Sequence, residues 1–453
     1  MAAGVIREAQ AVFLSKPRHA PMPITELRIE GLRTIEKLRL RLDGLTVLIG
    51  ENGSGKSSII EACELLRRAT SERFLDELYS IHGGLPGLLR QGAPHLRLGV
   101  TLGPSSWRGH RYSSVDYDLT LSPAGSFASL QEEVSYKPRK ASSARTGAAQ
   151  RSSHGSKRST GSKPSVLAVR RQVDVYELYE GDSGTVDSGD IPIDKTLLSQ
   201  TELYSPDSTG DDAVKVVTAA LREIHVHLPF EVTPAWAARA LDRKSAMRIP
   251  SPLAPAGRLE KLGINLANAF HALKNNYSQE EWQRTLGYLR LGLGEDIEDV
   301  ATLADPGGGS ISLSLKLKNL DRQIPASQLS DGMLSYLAYV ALFRLRATPP
   351  ALVALDEPDL HLHPRLLMRV LDMFEAMARD FPVLVATHSD RLLDGLSDPA
   401  RAVVLCELDE NRATRLYRPD PNALSKWLER YRGLGDIRGA GHEASVLTRK
   451  ERA

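Results

Sequence analysis

Leu45-Thr-Val-Leu-Ile-Gly-Glu-Asn-Gly-Ser-Gly-Lys-Ser-Ser58 decides the fold of this chain. Residues 45–49 are an apolar run of strand length. A glycine-rich turn follows, and from Lys56 onward Ile59, Ile60, Cys63, Leu65 and Leu66 recur at helical spacing. Gly50, Gly55, Lys56 and Ser57 satisfy G-x-x-x-x-G-K-[ST]. Glycines let backbone N–H groups close on phosphate oxygens, and the start of a helix favours negative charge there. The whole turn, Gly50, Asn52, Gly53, Ser54, Gly55, Lys56, Ser57 and Ser58, is therefore the expected phosphate cradle. Lys56 would reach the outer phosphates of ATP, and the Ser57 hydroxyl would sit on Mg²⁺.

Bulk properties narrow the class. The 453 residues are 42% hydrophobic and 25% charged, a soluble globular composition with room for two or three domain-sized units. The net charge of +2 rules out a polycation, so any nucleic-acid contact must come from a local patch. Cys63 and Cys406 each lie in an apolar run, far apart in sequence. They read as reduced thiols of a cytoplasmic protein. No apolar run reaches the roughly 18 residues of a membrane span, and residues 1–21 carry no signal-peptide pattern and read as a flexible tail.

Along the chain, residues 24–30 and 35–42 alternate apolar and polar side chains, as two antiparallel strands leading into the P-loop strand. Residues 95–102, 112–121 and 130–136 read as a β-meander. Residues 137–165 break the pattern with Lys137, Arg139, Lys140, Arg145, Arg151, Lys157, Arg158 and Lys163 among Ser, Gly, Ala and Thr, without one acidic residue. Such a segment cannot bury enough apolar surface to offset ordering, so it is expected to be a disordered insertion. Its charge makes DNA a candidate ligand through phosphate contacts. Strand character resumes over 165–179, helices are expected over 211–224, 258–273 and 279–293, and 310–317 reads as a strand.

Leu352-Val-Ala-Leu-Asp-Glu-Pro358 is an apolar strand ending in two carboxylates, the Walker B pattern. Asp356 is placed to hold Mg²⁺ and Glu357 to polarise the attacking water. Residues 381–389 form another apolar run ending in His388, one strand–helix unit further on, where a side chain can contact the γ-phosphate. Between the P-loop and these strands, Leu329-Ser-Asp-Gly-Met333 precedes a helix. Ser330 is its expected cap, and Gly332 allows close backbone approach to a phosphate held by a second subunit.

These four motifs, in this order, resemble the ABC-type ATPase heads of the SMC/RecF/OLD class. Residues 329–333 resemble the ABC signature, and Glu357-Pro-Asp-Leu-His-Leu-His-Pro364 resembles the E-P-x-x-x-L-H-P run of RecF- and OLD-like ATPases. Residues 263–267 and Tyr431-Arg-Gly-Leu-Gly-Asp436 are weaker matches to the same group. The resemblance implies an α/β P-loop NTPase, a head with a mixed β-sheet lobe I and a helical lobe II. Lobe I would comprise residues 22–200 and 346–420, lobe II residues 201–345, and residues 421–453 a C-terminal helical tail. It also implies a homodimer that sandwiches two ATP molecules, each site completed by Ser330 and Gly332 of the facing copy. A lobe-linking glutamine that contacts Mg²⁺ and water is part of the pattern; Gln200 is preferred by position, with Gln91 the alternative. His361 and His363 flank Leu362 and are expected to serve the loop facing the dimer rather than a metal.

The expected activity is Mg²⁺-dependent ATP hydrolysis, with ATP driving head dimerisation. The sequence shows no sustained heptads of an SMC coiled coil, and residues 389–453 are too few for an appended OLD-type nuclease domain. A separate effector such as a nuclease is therefore expected as partner. DNA repair or defence against mobile elements is implied by the family alone. Two rivals stand beside this reading: a nucleotide-gated scaffold with little turnover, and a soluble ATPase associated with a transporter.

Overall fold

The structure, a computed structural model, describes residues 21–103, 112–125, 127–138, 165–179, 185–200, 209–233, 245–305, 309–429, 431–442 and 446–448. The expected tail, apart from residue 21, and residues 139–164 of the basic insertion lie outside them.

β1 (Ile24–Leu32) and β2 (Ile35–Arg41) pair antiparallel, as their alternation predicts. β3 (Leu45–Gly50) is buried along its whole length, and the P-loop helix Lys56–Arg68 follows it. β4 (Leu96–Leu102), β5 (Tyr112–Ala124), β6 (Phe127–Pro138), β7 (Val166–Gln172), β8 (Val175–Tyr179) and β9 (Thr185–Asp190) extend the first two strands. The result is an eight-stranded antiparallel sheet in the order β2-β1-β4-β5-β6-β7-β8-β9. Sequence patterning does not reveal β9, whose Thr-Val-Asp-Ser-Gly-Asp holds a single apolar residue.

Helix Thr209–Arg222 leads into β10 (Ile224–His227). β11 (Ser251–Pro252), β12 (Ile297–Ala304), β13 (Ser310–Leu317) and β14 (Ile324–Pro325) then build a small antiparallel sheet. Helices Leu266–Asn275 and Gln279–Leu293 pack with it and helix Asp331–Arg344 packs on both of them, so the second lobe is helical with a sheet of its own. The spacing of Ile297, Val300 and Leu303 looks helical; a register shift between Ile297 and Asp299 breaks the two-residue alternation of β12 and hides the strand.

β15 (Leu352–Asp356), β16 (Val383–Ala386), β17 (Val403–Leu408), β18 (Thr414–Pro419) and β19 (Leu447–Thr448) complete a seven-stranded mixed sheet ordered β10-β15-β16-β3-β17-β18-β19. The five strands from β10 to β17 are parallel, and the last two antiparallel. β3 supplies two cores. Leu48 packs with the P-loop helix and the eight-stranded sheet, while Val47 and Ile49 pack on the other face with the second lobe and helix Pro364–Met377. A strand covered on both faces is expected to be largely apolar, and residues 45–49 are so at every position but Thr46, which is itself buried. Because the strands around β3 are parallel, Gly50, Asp356 and the residues after Ala386 all leave the sheet at one edge. That edge is where α/β sheets bind ligands. Among the described residues, no helix is long and apolar enough to cross a membrane.

Candidate functional site

The turn after β3 is built from glycines for steric reasons. A Cβ on Gly50 would lie 2.1 Å from Cys406 O, and one on Gly55 would lie 2.4 Å from Thr414 Oγ1 and 3.1 Å from Thr34 Oγ1. Gly53 and Gly55 also have φ of 78° and 100°, in the region glycine tolerates. Ser54, Gly55 and Lys56 are buried, whereas Glu51, Asn52, Gly53 and Ser57 are exposed and Ser58 is partly covered. Lys56 Nζ donates to Gly50 O and Glu51 O, both at 2.8 Å, and so curls over the loop. Burial lowers its pKa, against the pull of nearby acidic groups that include Asp356 and Glu357.

The two strands beyond β3 bring their carboxylates to this loop. Ser57 Oγ donates to Asp356 Oδ1 at 3.3 Å. Burial raises the Asp356 pKa, opposed by the Ser57 hydrogen bond and by Lys56. Glu357 holds φ at 46°, a left-handed conformation that costs a side-chain-bearing residue roughly 1–3 kcal/mol. Its N–H donates to Ala386 O at 2.7 Å, which ties the bend to β16. His388 Nε2 then lies 3.8 Å from Glu357 Oε1, with both side chains partly exposed. Thr387 Oγ1 donates to Asp359 Oδ1 at 2.5 Å, so the loops after β15 and β16 are laced together beside the pair.

Ser330 is exposed and caps helix Asp331–Arg344, accepting from Met333 N at 3.2 Å. Gly332 sits where a Cβ would meet His361 O at 3.0 Å, so the tip of this helix rests on the loop after Glu357. Sequence reading missed what holds the tip. Arg248, with 5% of its side chain exposed, donates to Val232 O at 2.7 Å and Leu329 O at 2.6 Å and pairs with Asp331 at 2.5 Å. One arginine in a polar stretch carries no sequence signal for such a role. Tyr339 was missed for the same reason; its hydroxyl, on the second lobe, donates to Pro358 O at 3.1 Å, next to Glu357.

Gln200 is not brought to this cluster. Thr196 Oγ1 donates to Ala69 O, just past the end of the 13-residue P-loop helix, and Leu197 N donates to the buried carboxylate of Glu132. A helix of that length spans roughly 20 Å, which leaves Gln200 at the far end from Lys56. Gln91 lies on the near side: its neighbour Arg90 donates to Thr34 O and Arg412 O, beside the threonines that pack on Gly55. His363 caps helix Pro364–Met377 by accepting from Arg365 N. Among the described residues, no cluster of His, Cys, Asp and Glu forms a separate metal site. Cys63 and Cys406 are free and buried.

Comparison with known proteins bears on both halves of the cluster. Residues 22–97, which hold the P-loop, match the family model described as "AAA ATPase domain". Residues 239–394, which hold Ser330, Asp356, Glu357 and His388, match the model described as "AAA domain, putative AbiEii toxin, Type IV TA system". The chain thus matches AAA-type ATPase models over both of the stretches that carry the cluster. It is similar in overall fold to an Smc head bound to the C-winged helix domain of ScpA (14% identity, TM-score 0.49, covering 87% of this chain and 97% of that one). It is also similar to the SMC head domain from Thermotoga maritima (12%, 0.41, 88% and 100%). A third likeness is to an Smc head with an extended coiled coil bound to the C-terminal domain of ScpA derived from Pyrococcus furiosus (13%, 0.48, 90% and 98%). No curated protein matches the sequence.

Proposed function

We propose that the protein binds ATP with Mg²⁺ between two copies of itself and hydrolyses it, so that nucleotide state controls head association. The observation that carries this reading is the convergence of Lys56, Ser57, Asp356, Glu357 and His388 on one edge of a parallel sheet, with Ser57 and Asp356 in direct contact. The donor set fits the group it would receive. A hydroxyl and a carboxylate 3.3 Å apart suit a hard cation, and Lys56 is already turned onto loop oxygens that a phosphate would outcompete.

Bound Mg²⁺ would supply charge neutralisation across the phosphates. The chain's own residues do the rest. The glycine turn orients the phosphates by backbone N–H groups, and Lys56 binds their outer oxygens. Glu357, bent toward the site by its left-handed backbone, accepts a hydrogen bond from the attacking water and orients it. His388, beside Glu357, donates to the oxygen that gains charge. Ser330 of the facing copy closes the site through its exposed helix tip. Gln91, rather than Gln200, is the glutamine we assign to water and Mg²⁺.

The nucleotide-gated scaffold remains the second reading, supported by the exposure of Glu357 and His388 in the single chain. Replacing Glu357 by Gln separates the two. An enzyme loses turnover at least a hundredfold yet keeps ATP and stays dimeric, while a scaffold is unchanged. Phosphate release and light scattering with Mg-ATP read both.

A separate effector protein acts downstream of hydrolysis, with nuclease action in DNA repair or defence as its chemistry. The family model that matches residues 239–394 is described as a toxin of a type IV TA system, which agrees with the defence side. Duplex DNA is the proposed ligand of the basic segment 137–165. Its removal should weaken duplex binding and flatten the salt dependence; unchanged affinity and slope would discard that role.

A further inference from the structure

The C-terminal segment Tyr431-Arg-Gly-Leu-Gly-Asp436 takes no part in the site as described above, yet it packs against the loop that carries His388. Helix Asp390–Asp394 begins two residues after His388, with Ser389 as its cap. Helix Leu434–Gly439 lies on it so closely that a Cβ on Gly435 would come 2.0 Å from Asp390 O, and one on Gly433 would come 2.5 Å from Asp394 Oδ1. No side chain larger than hydrogen fits at either position. Both carboxylates of the short helix reach across. Asp394 Oδ1 accepts from Asp436 N at 3.0 Å, and Asp390 Oδ1 accepts from Arg438 Nη1 at 2.5 Å. The far side of the segment is pinned by ring contacts of His442 with Trp427 and Tyr431.

We propose that Arg438 is a positioning residue for the nucleotide site: through Asp390 it fixes the turn that presents His388 to Glu357, making residues 431–442 a clamp on the catalytic loop. This deepens the ATPase reading and rests on it. The mechanism is geometric. Only Ser389 separates His388 from Asp390, so a shift of Asp390 moves the imidazole, which stands 3.8 Å from Glu357. It is also electrostatic. Without its guanidinium partner, Asp390 would place a bare carboxylate beside a site meant for phosphates, where like charges repel.

The test compares Arg438→Gln, Asp390→Asn and the double variant in the full-length chain. Each single change should lower kcat about tenfold, as displacement of a catalytic group does, with KM for ATP within about twofold. The double variant should be no worse than either single one, because both remove one interaction. Arg438→Lys, which keeps the charge, should recover most of the rate. In the nucleotide-free chain, amide exchange over residues 387–394 should quicken in Arg438→Gln, while the thermal midpoint shows that the variant folds. Additive losses, a loss carried by KM alone, or unchanged exchange over 387–394 would overturn the proposal. A wild-type chain without turnover would overturn the ATPase reading instead, and the exchange experiment would still judge the clamp.

Discussion

Ser57 and Asp356 touch across 299 positions of sequence: the first residues of the P-loop helix and the last residue of β15 meet through a hydroxyl–carboxylate hydrogen bond of 3.3 Å. Everything proposed for this protein depends on that meeting, since it puts a phosphate cradle and an acidic strand end into one site. The contact is available because β15 and β3 flank β16 in a run of parallel strands, which bring their carboxyl ends to a common edge.

Asp356 should trade stability for function. Burial raises its pKa above the ordinary carboxylate range, with the Ser57 hydrogen bond working the other way. A carboxyl with a raised folded-state value binds its proton more tightly folded than unfolded. The folded chain is therefore penalised progressively as pH rises from the ordinary carboxylate range through the raised value, and fully above it. Asp356→Asn removes the penalty. The nucleotide-free variant should melt higher than wild type at neutral pH, with the gap closing in acid, while Mg²⁺-dependent turnover disappears. A melting point lowered at pH 7 would contradict this account.

Ser330 should act on the facing copy's nucleotide. Lys56→Ala and Ser330→Arg should each abolish turnover alone. Mixed in equal amounts, half of the dimers pair one of each kind, and each such dimer has one intact composite site. The mixture should recover about a quarter of wild-type activity, as the statistics of a two-fold dimer require. Mixing that restores nothing would place Ser330 outside the site.

Arg248 should matter more than any neighbour in its stretch. Arg248→Ala leaves Leu329 O and Val232 O without their charged donor in a buried setting, a loss of about 2–3 kcal/mol. Chemical denaturation reads that loss. Activity should fall further than stability explains, because the helix tip bearing Ser330 loses its anchor at Asp331. A variant with wild-type denaturation and turnover would show that the tip is held by other means.

Tyr339→Phe isolates one bond between the lobes. The ring keeps its edge contacts with Phe230 and Phe374 and loses only the hydroxyl on Pro358 O. The stability cost should be about 1 kcal/mol, with a several-fold fall in kcat and little change in ATP affinity. An affinity loss with unchanged kcat would argue that the bond serves binding instead.

The motifs were legible in the sequence wherever the backbone leaves one solution. Buried parallel strands are expected to be largely apolar, so residues 45–49, apolar apart from Thr46, and residues 352–355 announce themselves, and a Gly-rich turn at φ values near 78° and 100° excludes most other residues. What escaped has the opposite character. β12 was hidden by a register shift, Arg248 acts through several contacts and Tyr339 through one hydroxyl contact, all with residues distant in sequence, and β9 is held by its neighbour rather than by its own composition. The choice between Gln200 and Gln91 turned on which end of the P-loop helix each reaches, and chain position alone cannot supply that.

β3 owes its two neighbours, β16 and β17, to residues made more than three hundred positions later. During synthesis the P-loop strand must therefore wait, both edges and its Val47–Ile49 face uncovered, until most of the polypeptide has left the ribosome. The nascent protein cannot hold nucleotide in that interval, and it is then most exposed to aggregation and in greatest need of a chaperone.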